Sequence, residues 1–282
     1  MPKKKTNDEL IIEYIEKIKA DKKVSIGTIK TYQNIKIPFN ILSSQPTIIK
    51  KLKDLYENPN TLQLHLNMVI LVRRDNEEET DKLIMFRNSL RDKINETRRN
   101  KLKDLNDQLP KPDYLLEQLD EMNGIQYIIN YLMIKHGLRN KDINLKFVKS
   151  LPEKKTENYL LIKSKHILLN INSYKTVGTY GTKQIKIEDK KFIKEIKKMK
   201  LNDGEYLIPL KNGNKMTNTS TFNDKIFNLT IDRMGQAKIV KIIIKDLLLN
   251  KSYGKLEQIS KDRGTSMDIL LKSYNLENNG ID

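Results

Sequence analysis

The chain has 282 residues, 38% of them hydrophobic and 32% charged, which is enough for two domains with a sizeable core. No apolar run reaches the roughly eighteen residues that a membrane span needs, and no apolar segment follows the basic N-terminus, so we expect neither a transmembrane helix nor a secretory signal. There is no cysteine, which excludes thiolate metal sites, and the three histidines lie far apart without metal-ligand spacing, which argues against a histidine zinc site. We therefore expect no metal and no other cofactor.

Charge is the strongest signal in the composition. Lysine and arginine number 53 against 36 acidic residues, for a net charge of +17. A charge of this size exceeds what solubility requires and indicates a polyanionic partner. Nucleic acid is the partner that we expect, with an anionic membrane surface or an acidic protein as the alternatives.

Five amphipathic helices are predicted in the first hundred residues. The first, "TNDELIIEYIEKIKA", has Thr6 or Asn7 as its N-cap and an apolar stripe. The second, "SIGTIKTYQNIKI", ends before Pro38, and the third begins at Pro46 and stops before Pro59. The fourth, "TLQLHLNMVILVRRD", is the most apolar, and a long charged fifth helix follows it.

The fifth helix and the segment after it suggest a domain organisation. Residues 82–103 are rich in lysine and arginine, which favours a DNA-facing stripe over a merely solvated face. The following "LPKPD", residues 109–113, has two prolines in a polar stretch and is the predicted linker. Residues 1–108 then form a helical DNA-binding domain, and residues 114–282 form a second domain.

The second domain mixes helices with a small sheet. Two helices are predicted between the linker and Gly137, and β-rich runs broken by polar turns follow. The predicted strands cover residues 159–163, 166–172 and 183–187. Helices return from Lys190, the last over residues 253–274. The predicted fold class is therefore mainly α, with a small three-stranded antiparallel sheet in the second domain.

Candidate functional residues occur in a fixed order along this domain. "HGLR" places Arg139 in a turn after an apolar helix, and "NSYKTVGTYGTK" places Lys175 on a hairpin, with Lys183 at the far end as its rival. "AKIVKIII" then puts Lys238 and Lys241 on one helix face.

Two further candidates complete the order. The dipeptide "GT" ends at Thr265, nine residues before Tyr274. Attack of a phenol on a phosphodiester builds negative charge on the phosphate oxygens, which positively charged donors can stabilise.

This order resembles the tyrosine recombinases, the phage-integrase family, and the resemblance covers most of the chain. The family's first catalytic arginine lies in a "TGLR" turn, which Arg139 matches, and its catalytic lysine lies on a hairpin, as Lys175 does. Lys238 and Lys241 occupy the places of the family's H-x-x-R motif.

The resemblance extends to both ends of the chain. Thr265 stands where the family has a histidine or tryptophan after a glycine, and Tyr274 stands at the position of the nucleophile. Near the N-terminus, Ser25, Thr28 and Tyr32 match the Ser-x-x-Thr-x-x-x-Tyr pattern that usually opens the family's core-binding domain.

The resemblance implies a site-specific recombinase or integrase of a mobile element or virus. Tyr274 would attack a phosphodiester of double-stranded DNA and form a 3′-phosphotyrosyl intermediate. Arg139 and Lys241 would hold the phosphate, and Lys175 would protonate the leaving 5′ oxygen. The family works as a homo-tetramer on paired sites without metal or cofactor. The expected location is intracellular, wherever the target DNA lies.

Three motif positions depart from the family. Lys241 lacks the planar fork of the expected arginine, and Lys238 replaces a histidine. Thr265 replaces the histidine or tryptophan, although Arg263 could lend a charge there. Two alternatives therefore stay open: a catalytically weakened or inactive DNA-binding protein on the same fold, and a type IB topoisomerase.

Overall fold

The computed structural model describes residues 5–21, 24, 26–106, 108–153, 156–210 and 214–274. The chain divides into two compact units, Met1–Asp104 and Leu105–Asp282. The functional roles assigned to the two domains, and the role of residues 109–113 as a linker, stay predictions. No helix in the described residues combines the length and the apolarity that crossing a membrane requires.

The first unit is built from helices around one aliphatic core. They are α1 (Asn7–Ala20), α2 (Ile26–Gln33), α3 (Gln45–Leu55), α4 (Pro59–Asp75) and α5 (Asp81–Asn106). Thr6 caps α1 in a capping box with Glu9, as one of the two predicted N-caps. Prolines occupy the first turns of α3 and α4, where the missing N–H costs no intrahelical hydrogen bond.

The second unit places its sheet among eight helices of the described chain. The helices are α6 (Pro112–Glu121), α7 (Gly124–His136), α8 (Val177–Tyr180), α9 (Lys190–Lys198), α10 (Thr219–Phe227), α11 (Gln236–Leu249), α12 (Tyr253–Arg263) and α13 (Met267–Tyr274). Its core combines buried residues of α7 and α11 with the inward face of the sheet. The last predicted helix is thus two helices, because Gly264 adopts the left-handed conformation and ends α12.

The prediction of a three-stranded antiparallel sheet was wrong in its strand count. The sheet has four strands in the order β1 (Leu145–Phe147), β2 (Asn158–Ile162), β3 (Ile167–Ile171) and β4 (Lys183–Ile187). The three predicted strands are present within one residue of their expected ends and pair antiparallel. β1 pairs with β2 in parallel, which makes the sheet mixed. A strand of three residues is too short to produce a clear alternating pattern, so the sequence did not reveal it.

Candidate active site

Arg139 follows a tightly packed turn at the end of α7. Gly137 has a φ of 61°, and the N–H of Gly137 and of Leu138 donate to carbonyls in the last turn of α7. A Cβ at position 137 would lie 2.8 Å from the Cγ2 of Ile259, so α7 and α12 approach each other closely here. We call residues Gly137–Asp142 the Arg139 turn. Its arginine side chain is only 16% exposed.

The Arg139 turn is closed by a buried carboxylate. The N–H of Arg139 donates to Asp142 Oδ2 over 3.2 Å, and the Arg139 Nη1 lies 3.9 Å from the same oxygen. Burial raises the pKa of Asp142, while the charges of Lys183, Arg139 and Arg263 oppose that rise. Asp142 is a site residue that the motif comparison missed, although its position three residues after Arg139 places it within reach of that N–H.

Lys183, the rival of the predicted Lys175, lies close enough to Arg139 for their charges to interact. Lys183 opens β4, and its Nζ is 3.9 Å from the centre of the Tyr174 ring. Burial lowers the pKa of Lys183 to about 8, and the neighbouring Arg139 also lowers it, whereas Asp142 raises it. Lys175 is exposed on the connection between β3 and β4, residues 172–182.

A signal for Lys183 was present in the sequence. In "KQIKI" the side chains of Ile185 and Ile187 are buried, and Lys183 has the same parity along the strand. Alternate residues of a strand share one face, so Lys183 points to the same side as the core isoleucines.

Three donors converge on the C-terminal end of α12. We call residues Asp262–Gly264 the α12 end. The main-chain oxygens of these three consecutive residues accept, in order, from Lys183 Nζ, Arg139 Nη1 and Thr176 Oγ1. The last carbonyls of a helix lack intrahelical partners and carry partial negative charge, so cations are favoured there.

Arg263 is the third cationic side chain of this cluster, beside Arg139 and Lys183. Its side chain is fully buried, and its Nη1 donates to the carbonyl of Gly137. Arg139 donates in the opposite direction, to the carbonyl of Arg263. These reciprocal hydrogen bonds join the Arg139 turn to the α12 end. Asp262 supplies a compensating carboxylate, which accepts from Gln258 and lies 2.6 Å from His136 Nδ1.

Thr265 and Tyr274 lie on the chain that leaves this cluster. Thr265 is buried, and its main chain exchanges two hydrogen bonds with Ser260. Ser266 then starts α13 by accepting from the N–H of Ile269. Tyr274 is the last residue of α13, and its side chain lies outside what the structure describes.

Lys238 and Lys241 both lie on α11, as predicted, but neither joins the cluster. Lys238 is exposed, and Lys241 is partly buried, which lowers its pKa. In the described part of the chain, no hydrogen bond or ion pair joins either lysine to Arg139. The link between α11 and the Arg139 turn is made instead by Gln236, whose Oε1 accepts from the N–H of Asn140 over 2.6 Å.

No group of three or more histidine and acidic side chains among the described residues is arranged to hold a metal ion. The site is instead a set of cations on a helix end. Such a set can bind an anion and donate protons or hydrogen bonds to it.

No protein-family model matches the chain, and no curated protein matches it. Among solved structures, the chain is similar to the crystal structure of XerA recombinase, with a TM-score of 0.40 and 15% sequence identity. The match covers 97% of this chain and 95% of that one. A likeness of this size leaves the function to be argued from the chain's own residues, and the resemblance to tyrosine recombinases stays a prediction.

The glycine of the "GT" dipeptide is expected to be indispensable for folding. Gly264 has a φ of 61°, and an added Cβ would lie 2.4 Å from Cε2 of the buried Tyr174. Gly264→Ala should therefore lower the free energy of unfolding by about 2–5 kcal/mol, measured by urea denaturation. Gly254→Ala, on the same helix with open space around it, is the matched control and should change stability by less than about 1 kcal/mol. Equal stability of the two variants would contradict this packing.

Proposed function

We propose that the protein is a site-specific DNA recombinase or integrase that cleaves and rejoins duplex DNA through a 3′-phosphotyrosyl link to Tyr274. One observation supports this most directly. Arg139 and Lys183, which come from different elements, converge on the α12 end, and α13 leads from there to Tyr274. The arrangement combines an arginine that could bind a phosphate and a lysine that could donate a proton with a tyrosine ten residues after Gly264.

The proposed chemistry needs no external oxidant or energy source. The phenolic oxygen of Tyr274, after losing its proton to solvent water, attacks the phosphorus, and the bond from phosphorus to the 5′ oxygen breaks. Lys183 gives its Nζ proton to that oxygen and leaves a free 5′ hydroxyl. Rejoining reverses each step, with the hydroxyl attacking phosphorus and its proton returning to Lys183. Arg139 offsets the charge on the non-bridging oxygens. The role of Lys241 in holding the phosphate, which the resemblance implies, stays a prediction.

We assign the general acid to Lys183 instead of Lys175. A general acid is most effective when its pKa lies near the working pH, and the pKa of Lys183 is lowered to about 8. Lys183 also lies close enough to Arg139 for the two charges to interact, whereas Lys175 is exposed. Lys175 is then free to contact the DNA backbone.

Basic side chains outside the site support DNA as the partner. Part of the predicted basic stripe on α5 is exposed, at Lys82, Arg91, Lys93 and Lys101. Contacts of this kind with phosphates supply most sequence-independent affinity and make binding strongly dependent on salt. Assembly as a tetramer on paired sites, at an intracellular location where the target DNA lies, belongs to the same proposal.

A second candidate function is DNA binding without chemistry. The observations that favour it are the separation of Lys241 from Arg139 and the threonine in place of an imidazole or indole at position 265. A type IB topoisomerase is the third candidate, and relaxation of a supercoiled plasmid that lacks paired sites would distinguish it from a recombinase.

Covalent trapping tests the proposed function. We would incubate the protein with nicked suicide substrates that carry the DNA flanking the element that encodes it, and then run denaturing gels. The wild type should form a protein–DNA adduct, and Tyr274→Phe should form none, because only the phenolic oxygen can make the link. Tyr253→Phe is the matched control, since Tyr253 is 61% exposed on α12, and it should form the adduct at the wild-type level.

The contrary outcome is also specific. Tight, salt-sensitive binding of those substrates by the wild type and by Tyr274→Phe, with no adduct from either, would favour the non-catalytic function. An adduct that survives Tyr274→Phe would assign the nucleophile to another residue.

A further inference from the structure

We propose that Asn158 is a positioning residue that holds the Arg139 turn and the β3–β4 connection in one fixed geometry. This inference rests on the proposed function, because it concerns the relative placement of Arg139 and Lys183. Asn158 is the first residue of β2 and is only 3% exposed. No motif pointed to it.

A single amide joins the two segments. On one side, Asn158 Nδ2 donates to the carbonyls of Lys141 and Asp142, over 3.3 and 3.2 Å, and so holds the Arg139 turn. On the other side, it donates to Ser173 O over 3.1 Å, and its Oδ1 accepts from the N–H groups of Asn172 and Ser173 over 2.9 and 2.7 Å. Its donors and its acceptor are all engaged, two N–H groups being shared among three carbonyls.

The β3–β4 connection transmits this constraint to Lys183. Ser173 is followed by Tyr174, whose ring lies beneath the Nζ of Lys183 and against Gly264 of the α12 end. The hydroxyl of Tyr174 donates to Gly181 O over 2.7 Å, which fixes the ring at its other end. Asn158 therefore fixes Ser173, and through the neighbouring Tyr174 this constraint reaches Lys183, the proposed general acid.

The chemistry of the side chain explains why an amide is needed. An aspartate at this position keeps two acceptor oxygens but loses both N–H donors, and it then faces three carbonyls that have lost their donor. An apolar replacement loses the donors and the acceptor together. Either change should loosen both segments at once, and a displacement of about 1 Å between reacting groups can slow a reaction about 100-fold.

Asn170 provides a matched control in the same sheet. It is also 3% exposed and lies on β3, opposite Tyr159. Its Oδ1 accepts from Gln184 Nε2 of β4 over 2.8 Å, and its side chain makes no described hydrogen bond to the Arg139 turn. The Nδ2 of Asn170 has no described hydrogen-bond partner, so Asn170→Asp reports the general cost of placing a carboxylate at a buried amide position of this sheet.

The test compares single-turnover cleavage of a suicide substrate at saturating protein. Asn158→Asp should cleave about 100-fold more slowly than the wild type, with a DNA Kd within about 3-fold, whereas Asn170→Asp should cleave within about 3-fold of the wild type. Asn158→Ser is the second and milder variant, assayed below its melting temperature. It should cleave at least about 10-fold more slowly than the wild type. Both Asn158 variants should remain slow on DNA whose leaving 5′ oxygen is replaced by sulfur, because that substrate removes the need for an acid but not for Arg139.

The outcomes separate this inference from the proposed function. If the wild type forms no covalent adduct, the proposed function fails. If the wild type cleaves and the folded Asn158 variants cleave equally fast, or if Asn170→Asp loses as much activity, Asn158 has only a structural role and the inference alone is overturned.

Discussion

Arg139→Ala is expected to reduce cleavage by at least about 10²–10³-fold while the DNA Kd stays within about 3-fold. A guanidinium offers two parallel donors to two phosphate oxygens, and loss of one charge-stabilising donor typically costs that much in rate. Duplex affinity is spread over many lysines and arginines, so one of them contributes little to it. Single-turnover cleavage and a filter-binding titration on the same substrate would measure the two quantities.

Controls for this variant follow from the contacts of Arg139. Because its Nη1 also donates to the carbonyl of Arg263, the melting temperature of Arg139→Ala must be measured beside its activity. Arg139→Lys keeps the charge without the fork and should recover only part of the rate. Arg233→Ala removes an exposed arginine of the same unit and should leave cleavage unchanged. Normal cleavage by Arg139→Ala would remove this residue from the site.

Lys183→Met is expected to slow cleavage of ordinary DNA by about 10²–10⁴-fold, the usual contribution of a general acid. Lys175→Met should stay within about 3-fold of the wild type. The pH dependence has a definite sign when ordinary DNA is compared with DNA whose leaving 5′ oxygen is replaced by sulfur. Lys183 is protonated below its pKa of about 8, so the wild-type rate on ordinary DNA divided by the rate on the sulfur substrate should fall as the pH rises through 8, because ionisation of Tyr274 affects both substrates alike. Rates between pH 6.5 and 9.5 would show this, provided that the DNA stays bound.

A modified substrate separates proton donation from other roles of Lys183. A 5′ sulfur leaves readily as a thiolate, because thiols have a pKa of about 8.5, far below that of an alcohol. This substrate should restore cleavage by Lys183→Met and should not restore cleavage by Arg139→Ala. If Lys175→Met cleaves ordinary DNA slowly and the sulfur substrate restores its cleavage, while Lys183→Met is not restored, the general acid is Lys175.

Local patterns were enough to predict most of the fold. The helix starts at Thr6 and Pro46 were readable because caps and prolines act within one turn. Pro59 was predicted only as the stop of the third helix, whereas it begins α4. Three strands were readable from β-rich runs bounded by polar turns. β1 was missed because a strand of three residues is too short to show a periodic pattern. Its parallel pairing with β2 is made only in the folded chain.

The site was predictable only where its residues form a motif. Arg139 was predicted from the turn in which it lies, and Lys175 was predicted as the catalytic lysine of the hairpin with Lys183 as its rival. The choice of Lys183 depends on which face of β4 is buried and on the position of the α12 end. Asn158 contacts main-chain groups 14 to 17 residues away in the sequence, and a single-sequence pattern contains no record of such contacts. Asp142 contacts the N–H of Arg139 three residues away, but its burial comes only with the fold.

Three main-chain carbonyls at the α12 end each occupy one donor of Arg139, Lys183 and Thr176. The guanidinium and the ammonium have further N–H donors, so an anion displaces a carbonyl of the chain only when it takes the N–H that this carbonyl now accepts from, and that carbonyl must then find water or another donor. For an anion that competes for those N–H groups, anion occupancy and closure of the helix terminus are coupled equilibria, and by thermodynamic reciprocity each weakens the other by the same free energy. Because only Thr265 and Ser266 separate this terminus from α13, that helix is the first element that the coupling reaches.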